Sequence, residues 1–298
     1  MSNTISGLPL ISIGVSAYNR KDFLRESLDS LLQQDYPETE IIVVDDGSTD
    51  GTAEMVKKEY PQVVYIYQDN AGDAAAKNHA AEVAKGEYIV FNDSDDMFLP
   101  DTVSRLYKLV ENHPGDCAYG SYITINANGE RLFTKSKVKS LPEGKITRHL
   151  LRHVIVNCCG FLIPLALFKK YGGFDRSLRA GHDWKLSLIL SLETDFHAAA
   201  EPVFLRRRHG NNISSGSYRG SKMMLDVFEE FVSVYAEHLS GLERIIRKRR
   251  AVLHNKSARE AIAEKMPGLL IRNHLRTALR NSFNIKYLWR YITSFSIK

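Results

Sequence analysis

The sequence predicts an α/β fold with a mainly parallel central sheet and flanking helices, followed by a helical C-terminal extension. Over the first 100 residues, short apolar runs rich in branched side chains alternate with segments of helical spacing. These runs are apolar on both faces, which is typical of parallel strands that helices cover on both sides. From residue 221 onward the apolar spacing is helical, with breaks at Gly241, Pro267 and Gly268.

The first hundred residues predict strands and helices in strict alternation. The first helical segment, 22–34, places its apolar residues on one face and has Asp22 at its start. The second has cap candidates at 48–50 and ends at Pro61, and the third is rich in small residues and ends at Gly86. The strands between them are expected at 10–16, 40–46, 63–68 and 87–93. In a sheet of this kind, ligands bind at the carboxyl ends of the strands.

After residue 100 the pattern changes. Residues 116–133 predict two strands around a turn at Asn128–Gly129, and a basic loop follows. A helix is expected near 145–153, another from His182, and a strand at 202–209. We therefore expect one domain that continues from the alternating region, and a basic extension behind it. The predicted boundaries are 1–220 for the domain, with halves 1–100 and 101–220, and 221–298 for the extension.

Composition indicates an ordinary globular protein. The 298 residues are 44% hydrophobic and 25% charged, and no apolar run reaches the roughly 18 residues that span a bilayer. The N-terminal stretch lacks the features of a signal peptide, so we expect a cytoplasmic protein. Cys117, Cys158 and Cys159 match neither a disulfide set nor a zinc-ligand spacing. They are expected to be small buried residues.

The net charge of +5 conceals an uneven distribution. Residues 243–298 contain fourteen Lys or Arg against three Glu, a net charge of +11, so the rest of the chain is near −6. A basic tail on an acidic body suggests that the tail has its own partner, such as a membrane surface or nucleic acid.

The tail also contains an amphipathic helical pattern. Its apolar stripe is Ile271, Leu275, Leu279 and Phe283, and its basic stripe is Arg272, Arg276 and Arg280. Such a surface could lie on anionic lipid, which would make the protein peripheral on the inner face of the cell membrane. The alternative is a helix that packs on the rest of the protein with a solvated basic face, and the sequence leaves both open.

Polar residues directly follow three of the predicted strands. They occupy 16–19, 45–48 and 92–96, and the last stretch contains three carboxylates. Acids so close together repel one another unless a cation or a hydrogen-bonding ligand is expected there. Neither a Gly-x-Gly-x-x-Gly nor a Gly-Lys-Ser/Thr stretch occurs, which disfavours a dinucleotide dehydrogenase and a P-loop enzyme. Carboxylates can hold phosphate through Mg²⁺ or Mn²⁺, so we expect a metal bridge to a diphosphate.

Four ordered motifs resemble those of the family 2 glycosyltransferases, which have the GT-A fold. They read ISIGVSAYNR, EIIVVDDGSTDGT, AKGEYIVFNDSDDMFLP and GGFDRSLRAGHDWKLSL, and the resemblance covers about residues 10–215. It implies an enzyme that transfers a sugar from a nucleotide diphosphate donor, most often a UDP-sugar, with inversion at the anomeric carbon. The expected partners are that donor and a glycan or lipid-linked acceptor in surface polysaccharide biosynthesis. Because the QxxRW signature is absent, we expect addition of one or a few sugars.

The resemblance assigns the strand ends to the donor nucleotide. Tyr18 would offer a stacking face to the base, Asp45 and Asp46 would accept from the base N–H, and Asp93 would contact the ribose or a metal-bound water. The full set of expected donor-binding residues is Ser16, Tyr18, Asn19, Asp45, Asp46, Lys77 and Asp93.

The resemblance also implies a divalent metal, Mn²⁺ or Mg²⁺. Asp95 would be its main ligand, with Asp93 and His209 as further ligands, and Asp96 would orient its neighbours. The expected diphosphate contacts are Arg207 and Arg208.

Asp183 matches the catalytic position of the family's usual Glu-Asp-x-x-Leu motif. A carboxylate there can take the proton of the acceptor hydroxyl as its oxygen attacks the sugar. In this sequence His182 replaces the usual Glu, which puts in question how Asp183 is oriented.

Structural alternatives accompany these assignments. Asp45 and Asp46 could build a turn and cap the next helix, Asp183 could cap its own helix, and His209 could be a structural histidine. The alternative functions are a nucleotidyltransferase and a non-catalytic nucleotide-sugar-binding or membrane scaffold protein. The loop after the first strand lacks the Gly-rich basic sequence of a nucleotidyltransferase. The intact acids count against a non-catalytic protein. The sequence does not favour nucleic acid as a partner.

Overall fold

The computed structural model describes residues 7–132, 140–210 and 217–296. The chain divides into two compact units, the first consisting of Met1–Ile146 and Ile155–Asn211, and the second of Thr147–Val154 and Asn212–Lys298. The predicted boundary at residue 220 between a catalytic domain and an extension stays a prediction.

The alternating region has the predicted order of elements. They are β1 (Ile11–Ala17), α1 (Lys21–Leu32), β2 (Thr39–Asp45), α2 (Thr52–Glu59), β3 (Val64–Tyr67), α3 (Asp73–Val83) and β4 (Tyr88–Asp93). The second helix begins where predicted because the Asp50 carboxylate accepts hydrogen bonds from the backbone N–H and the hydroxyl of Thr52.

Shorter elements follow, and the last part of the chain is helical. They are β5 (Met97–Phe98), α4 (Thr102–Val110), β6 (Cys117–Tyr119), β7 (Tyr122–Ile125), α5 (Thr147–Leu150), β8 (Phe161–Pro164), α6 (Leu165–Lys170), α7 (His182–Glu193), β9 (Phe196–Ala198), β10 (Phe204–Arg207), α8 (Tyr218–Val234), α9 (Glu243–Ala263), α10 (Gly268–Asn281) and α11 (Ile285–Thr293). The helix predicted near 145–153 is the short α5, whereas the helix from His182 and the strand at 202–209 correspond to α7 and β10.

Within the described residues of the first unit, seven strands form one sheet in the order β3, β2, β1, β4, β8, β6 and β9. All run parallel except β8, which is antiparallel to both β4 and β6. The chain passes from β1 outward to β3 and then returns to β4 on the other side of β1. The crevice beyond the carboxyl ends of β1 and β4 is therefore the switch point at which such sheets bind ligands.

The centre of this sheet is tightly packed against α3. Every residue of β1 is buried, and a Cβ on Gly14 would come within 2.9 Å of the Phe91 ring and 3.1 Å of Ala80. The small residues of α3 allow this helix to approach the sheet closely, which explains the alanine-rich sequence predicted as a helix. This packing fixes the height of α3 relative to β1 and β4.

The turn predicted at Asn128–Gly129 is present, and it joins β7 to residues 131 and 132 in a short hairpin. The Gly129 N–H donates to the Asn126 carbonyl, and across the turn the Leu132 N–H donates to the Thr124 carbonyl. Ile125 and Arg131 form an antiparallel bridge. Within the segment before the turn, β6 and β7 belong to different sheets. Residues 133–139, which include the predicted basic loop, lie outside the described residues.

The second unit has its own core between α9 and α10. Ala258, Ala261, Ile271 and Leu275 are buried together, and Tyr291 packs against them. Two members of the predicted apolar stripe therefore face the interior of the unit rather than solvent. Within residues 7–132, 140–210 and 217–296, no helix has both the length and the apolar character needed to cross a membrane.

A histidine pair bridges α9 and α10. The Nδ1 atoms of His254 and His274 lie 2.9 Å apart, so one nitrogen donates and the other accepts while both rings are neutral. Burial, and then the neighbouring His274, lower the pKa of His254 to about 4. Burial also lowers the pKa of His274.

This pair should make the stability of the protein depend on pH. The folded-state pKa of His254 lies below its unfolded value of 6.5, so the unfolded state binds more protons between about pH 6.5 and about pH 4. The stabilisation is full above this window and is lost as the pH falls through it. We expect the advantage of the wild type over His254→Asn to shrink by about 1–3 kcal/mol between about pH 7.5 and about pH 5 in urea denaturation.

The exposed His238 of the same unit offers a matched control. The effect of His238→Asn should be the same at both pH values. An equal effect of His254→Asn at both pH values would contradict the neutral buried pair.

Candidate active site

The polar ends of the central strands lie side by side. In the register of the sheet, Ser16 is the partner of Asp93 across β1 and β4, and Ala17 is the partner of Asp45 across β1 and β2. The structure thus brings together the three strand ends that the sequence predicts at one edge of the sheet.

The loop after β1 is tied to the loop after β2. Asn19 adopts a φ of 50°, and its side-chain oxygen accepts a hydrogen bond from the Thr49 N–H at 2.8 Å. Its own N–H donates to the Ser48 hydroxyl at 2.9 Å. Asparagine tolerates this left-handed conformation better than most residues, which explains its presence here. The Tyr18 ring beside it is 50% exposed, as a stacking face for a base requires.

Asp45 and Asp46 are buried and hold neighbouring loops in place. Asp45 accepts from the Ser48 N–H at 2.9 Å and from the Tyr65 hydroxyl at 2.7 Å. Asp46 accepts three hydrogen bonds, all from residues within 68–72. The turn-building alternative is therefore observed for Asp45, whereas Asp46 holds the loop before α3. The contact of either residue with a base stays a prediction.

Lys77 lies at the centre of the site, with a side chain only 1% exposed. Its Nζ is 2.5 Å from Asp93 Oδ1 and 2.8 Å from Asp73 Oδ2. Burial disfavours the charged amine, but the two carboxylates outweigh it and raise the pKa of Lys77 well above its usual value. Asp73 also accepts from the Ser16 hydroxyl at 2.5 Å. Lys77 thus orients Asp93 from below, and a direct contact with nucleotide stays a prediction.

Two cysteines and a histidine complete the surroundings of Lys77. The Cys158 Sγ is 3.4 Å from Lys77 Nζ, and the Cys159 Sγ is 3.3 Å from the Asp93 N–H. His182 Nε2 lies 3.3 Å from Asp73 Oδ2. Although burial lowers the pKa of His182, the Cys158 thiol and Asp73 raise it above its usual value. Cys158 and Cys159 are buried, as predicted. Their location beside the acidic residues was not predicted.

His209 meets Asp95 on the other side of the acidic stretch. His209 Nε2 is 2.8 Å from Asp95 Oδ2, and the ring stacks on Phe23 with centroids 5.0 Å apart. The guanidinium of Arg20 reaches the same pair, with Nη1 at 2.8 Å from His209 Nε2 and 3.6 Å from Asp95 Oδ2. No sequence pattern points to Arg20, because 189 residues separate it from His209.

Arg207 is placed differently from the prediction. Its side chain is buried, donates to the Asp95 carbonyl at 3.0 Å and pairs with Glu26 at 2.5 Å. Its backbone N–H donates to Asp96 Oδ1 at 2.8 Å. These contacts hold the acidic loop in place, so Arg207 would have to leave them to reach a diphosphate. The neighbouring Arg208 is exposed, and its diphosphate contact stays a prediction.

The acidic stretch has the donor set of a divalent-cation site. Carboxylate oxygens of Asp93, Asp95 and Asp96 lie within 4.8 Å of one another. Burial, together with the charges of Asp93 and Asp95, raises the pKa of Asp96 well above its usual range. A cation among these oxygens would relieve that repulsion, and hard oxygen ligands are those that Mg²⁺ and Mn²⁺ prefer. The residues present therefore fit such an ion.

Asp183 lies in the first turn of α7, next to the Lys77 cluster. The preceding Gly181 has a φ of 81°, which turns the chain sharply into the helix. Asp183 Oδ1 accepts from the Trp184 N–H at 2.8 Å, and its side chain is only partly buried. His182 brings this turn within 3.3 Å of Asp73 on α3, although neither of its ring nitrogens has a hydrogen-bond partner among the described residues. The catalytic role of Asp183 stays a prediction.

The family described as glycosyl transferase family 2 matches residues 12–169, more than half of the sequence. The chain belongs to glycosyltransferase family 2. The motifs at its acidic strand ends are the ones that resemble this family. Membership in the family decides against a nucleotidyltransferase.

Two relatives illustrate the sequence similarity. An uncharacterized glycosyltransferase of Rickettsia typhi is 34% identical over 250 residues, which cover 83% of this chain and 77% of the relative. TuaG of Bacillus subtilis, whose name provisionally associates it with teichuronic acid biosynthesis, is 31% identical over 230 residues, covering 74% and 88% of the two chains.

Solved structures of other transferases share the fold. TarS of S. aureus, residues 1–349 in complex with UDP-GlcNAc, has a TM-score of 0.65 at 18% identity, covering 96% of this chain and 90% of that one. The mannosyltransferase PcManGT of Pyrobaculum calidifontis, in complex with GDP-Man and Mn²⁺, has a TM-score of 0.60 at 19% identity, covering 97% and 80%. The predicted GT-A fold is thereby confirmed for this glycosyltransferase.

Replacing Lys77 with Met should destabilise the glycosyltransferase strongly. Met preserves helix propensity and side-chain length, but it leaves Asp73 and Asp93 without their shared cation. We expect the free energy of unfolding to fall by about 3 kcal/mol in urea denaturation. The matched control is Lys170→Met, because Lys170 forms an exposed pair with Glu193 at 3.7 Å. That change should cost less than about 1 kcal/mol, and equal effects of the two variants would contradict the central role of Lys77.

Proposed function

We propose that this glycosyltransferase is metal-dependent and inverting, and that it moves a sugar from a UDP-sugar to a hydroxyl of a glycan or lipid-linked acceptor. The observation that carries the proposal is the convergence of Asp93, Asp95 and Asp96 at the switch point between β1 and β4. The structure of TarS with UDP-GlcNAc supports the choice of uridine for a chain of this fold.

The donor would lie across the carboxyl ends of β1, β2 and β4. The exposed ring of Tyr18 would stack on the base, and the loops that Asp45 and Asp46 hold would form the rim around it. Asp93, whose carboxylate is fixed by Lys77, would contact the ribose or a metal-bound water.

Asp95, Asp93 and His209 would hold the divalent ion. The ion, when bound, supplies positive charge that stabilises the leaving diphosphate. Arg207 contributes indirectly, because its contacts with the Asp95 carbonyl and with Asp96 fix the loop that carries the ligands. The complex of PcManGT with Mn²⁺ supports a metal in a transferase of this fold.

Asp183 would act as the catalytic base. Its partly exposed carboxylate can accept the proton of the acceptor hydroxyl while that oxygen attacks the anomeric carbon from the face opposite the diphosphate. The bond to the diphosphate oxygen breaks as the new glycosidic bond forms, so the configuration inverts. His182, whose Nε2 lies 3.3 Å from Asp73 Oδ2, would orient the turn in place of the usual Glu.

The relatives support a role in surface polysaccharide biosynthesis. TuaG is associated by name with teichuronic acid, and the hyaluronan synthase of Pasteurella multocida is 29% identical over 214 residues. The chain covers only 22% of that synthase, so the similarity concerns one part of a longer protein.

Asp95→Asn should abolish metal-dependent donor binding. Because the amide removes the negative charge from the main metal ligand, we expect the affinity for UDP in the presence of Mn²⁺ to fall at least about a hundredfold in calorimetry. The control Asp22→Asn changes an exposed acid of α1 and should bind UDP like the wild type. Metal-dependent binding of UDP by Asp95→Asn at wild-type affinity would refute the metal assignment, and selective binding of GDP by the wild type would refute uridine.

Asp183→Asn should separate catalysis from binding. Loss of the base is expected to lower the rate of sugar release from the UDP-sugar by about 10²–10⁴-fold, whereas the affinity for UDP should stay within about twofold. Asp195, whose half-exposed side chain pairs with Lys145, gives the control Asp195→Asn, which should leave both quantities unchanged. A rate close to that of the wild type would remove Asp183 from the mechanism.

A further inference from the structure

The helix α11 presents an apolar face to solvent. Ile285, Trp289 and Ile292 follow one another at intervals of four and three residues, so they lie on one side of the helix, and all three are exposed. Phe283 and Phe295, just before and after the helix, are exposed as well. None of the residues of α11 is buried, although the helix is apolar along this side.

This face differs from the apolar stripe of α10. Ile271 and Leu275 of α10 are buried in the core of the second unit, and Tyr291 packs against that core from the inner side of α11. The core is therefore completed by α10 and the inner side of α11. Among the described residues of its unit, none covers Ile285, Trp289 and Ile292, which are 72%, 66% and 60% exposed. Large apolar side chains grouped in this way mark an interaction surface.

The surroundings of the face are positively charged. Residues 266–298 contain six Lys or Arg and no Asp or Glu. Lys286, exposed, follows Ile285 directly and lies at the flank of the apolar face, whereas Arg290 turns inward and donates to Asn255 Oδ1 at 2.7 Å. Arg272 lies over the Phe295 ring at 5.2 Å, which brings a second cation to the end of the face.

We propose that the outer face of α11 docks the protein on an anionic lipid surface, with Ile285, Trp289 and Ile292 inserted among the lipids and the cations at the headgroups. An amphipathic helix with basic flanks and an aromatic residue in its apolar face has the chemistry of an interfacial helix. This inference does not depend on the proposed sugar transfer.

Charge complementarity selects lipid over a second copy of the chain. A two-fold contact between two α11 helices would bring the same cations of both copies together without any acid from residues 266–298 to pair with them. Anionic headgroups supply the missing negative charge along the whole flank. An anionic lipid surface therefore accommodates both the apolar face and its basic flank.

The two tryptophans of the chain give a direct measurement. Trp184 is 0% exposed in the first unit, whereas Trp289 is 66% exposed. A change of tryptophan emission on adding vesicles therefore reports on Trp289. With vesicles of equal parts phosphatidylcholine and phosphatidylglycerol, we expect a blue shift and protection from acrylamide quenching. Vesicles of phosphatidylcholine alone should produce much less of either.

Substitutions test the face and its flank separately. The double variant Ile285→Ser with Ile292→Ser keeps Trp289 and should bind the anionic vesicles about tenfold or more weakly. Lys286→Glu should weaken binding at least about fivefold and reduce its dependence on salt. The control is Leu269→Ser, because Leu269 is 64% exposed on α10 but lies outside the face, and it should bind like the wild type.

Three outcomes would overturn the proposal. The first is the absence of a blue shift with anionic vesicles, and the second is equal binding by the double variant and the Leu269→Ser control. The third is a blue shift that grows with protein concentration in the absence of lipid, because it would assign the face to a second copy of the chain. Retained thermal unfolding of the double variant shows that a loss of binding is not a loss of fold.

Discussion

The buried ion pairs of Lys77 are the constraint on which the first unit depends. A charged amine that is only 1% exposed is tolerated because Asp73 and Asp93 supply two carboxylates within 2.8 Å. The interaction joins α3 to the end of β4, and through the contact of Asp73 with His182 it reaches the first turn of α7. The elements α3, β4 and α7, which are far apart in sequence, are thus positioned around one cation. Their positions determine where the carboxylates at the strand ends lie.

The carboxylates of the rim are satisfied in different ways, and the difference separates structural acids from those left for a ligand. Asp45 and Asp46 accept backbone and side-chain hydrogen bonds from their own loops. Asp93 has the Lys77 amine, and Asp95 lies beside Arg20 and His209. Burial, and then the two neighbouring acids, raise the pKa of Asp96. Three carboxylates whose oxygens lie within 4.8 Å of one another favour a cation in addition to these partners, and this arrangement gives the acidic stretch its chemistry.

Periodicity is enough to predict the sheet and its rim, because β1, β2 and β4 are continuous apolar runs and their polar ends must meet at one edge. It does not predict Arg20 beside His209 or Cys158 beside Lys77, since these contacts join residues 189 and 81 positions apart without a local pattern. Arg207 shows a related limit: the sequence gives its charge, but only tertiary packing places the guanidinium under the acidic loop. A motif therefore identifies the rim more readily than the residues that support it.

The two helices of the basic region show how the same amphipathic signal can have opposite meanings. The apolar stripe of α10 and that of α11 are alike in sequence, yet Ile271 and Leu275 enter a core whereas Trp289 and Ile292 face solvent. In the part of this unit that the structure describes, α9 and α10 form the core, and the outer side of α11 stays exposed. The exposed apolar face of α11, with cations at its edge, can be compared with the acidic stretch of the first unit. In both places one type of side chain is concentrated at the surface, and it indicates a partner of complementary chemistry, lipid for α11 and a cation for the carboxylates.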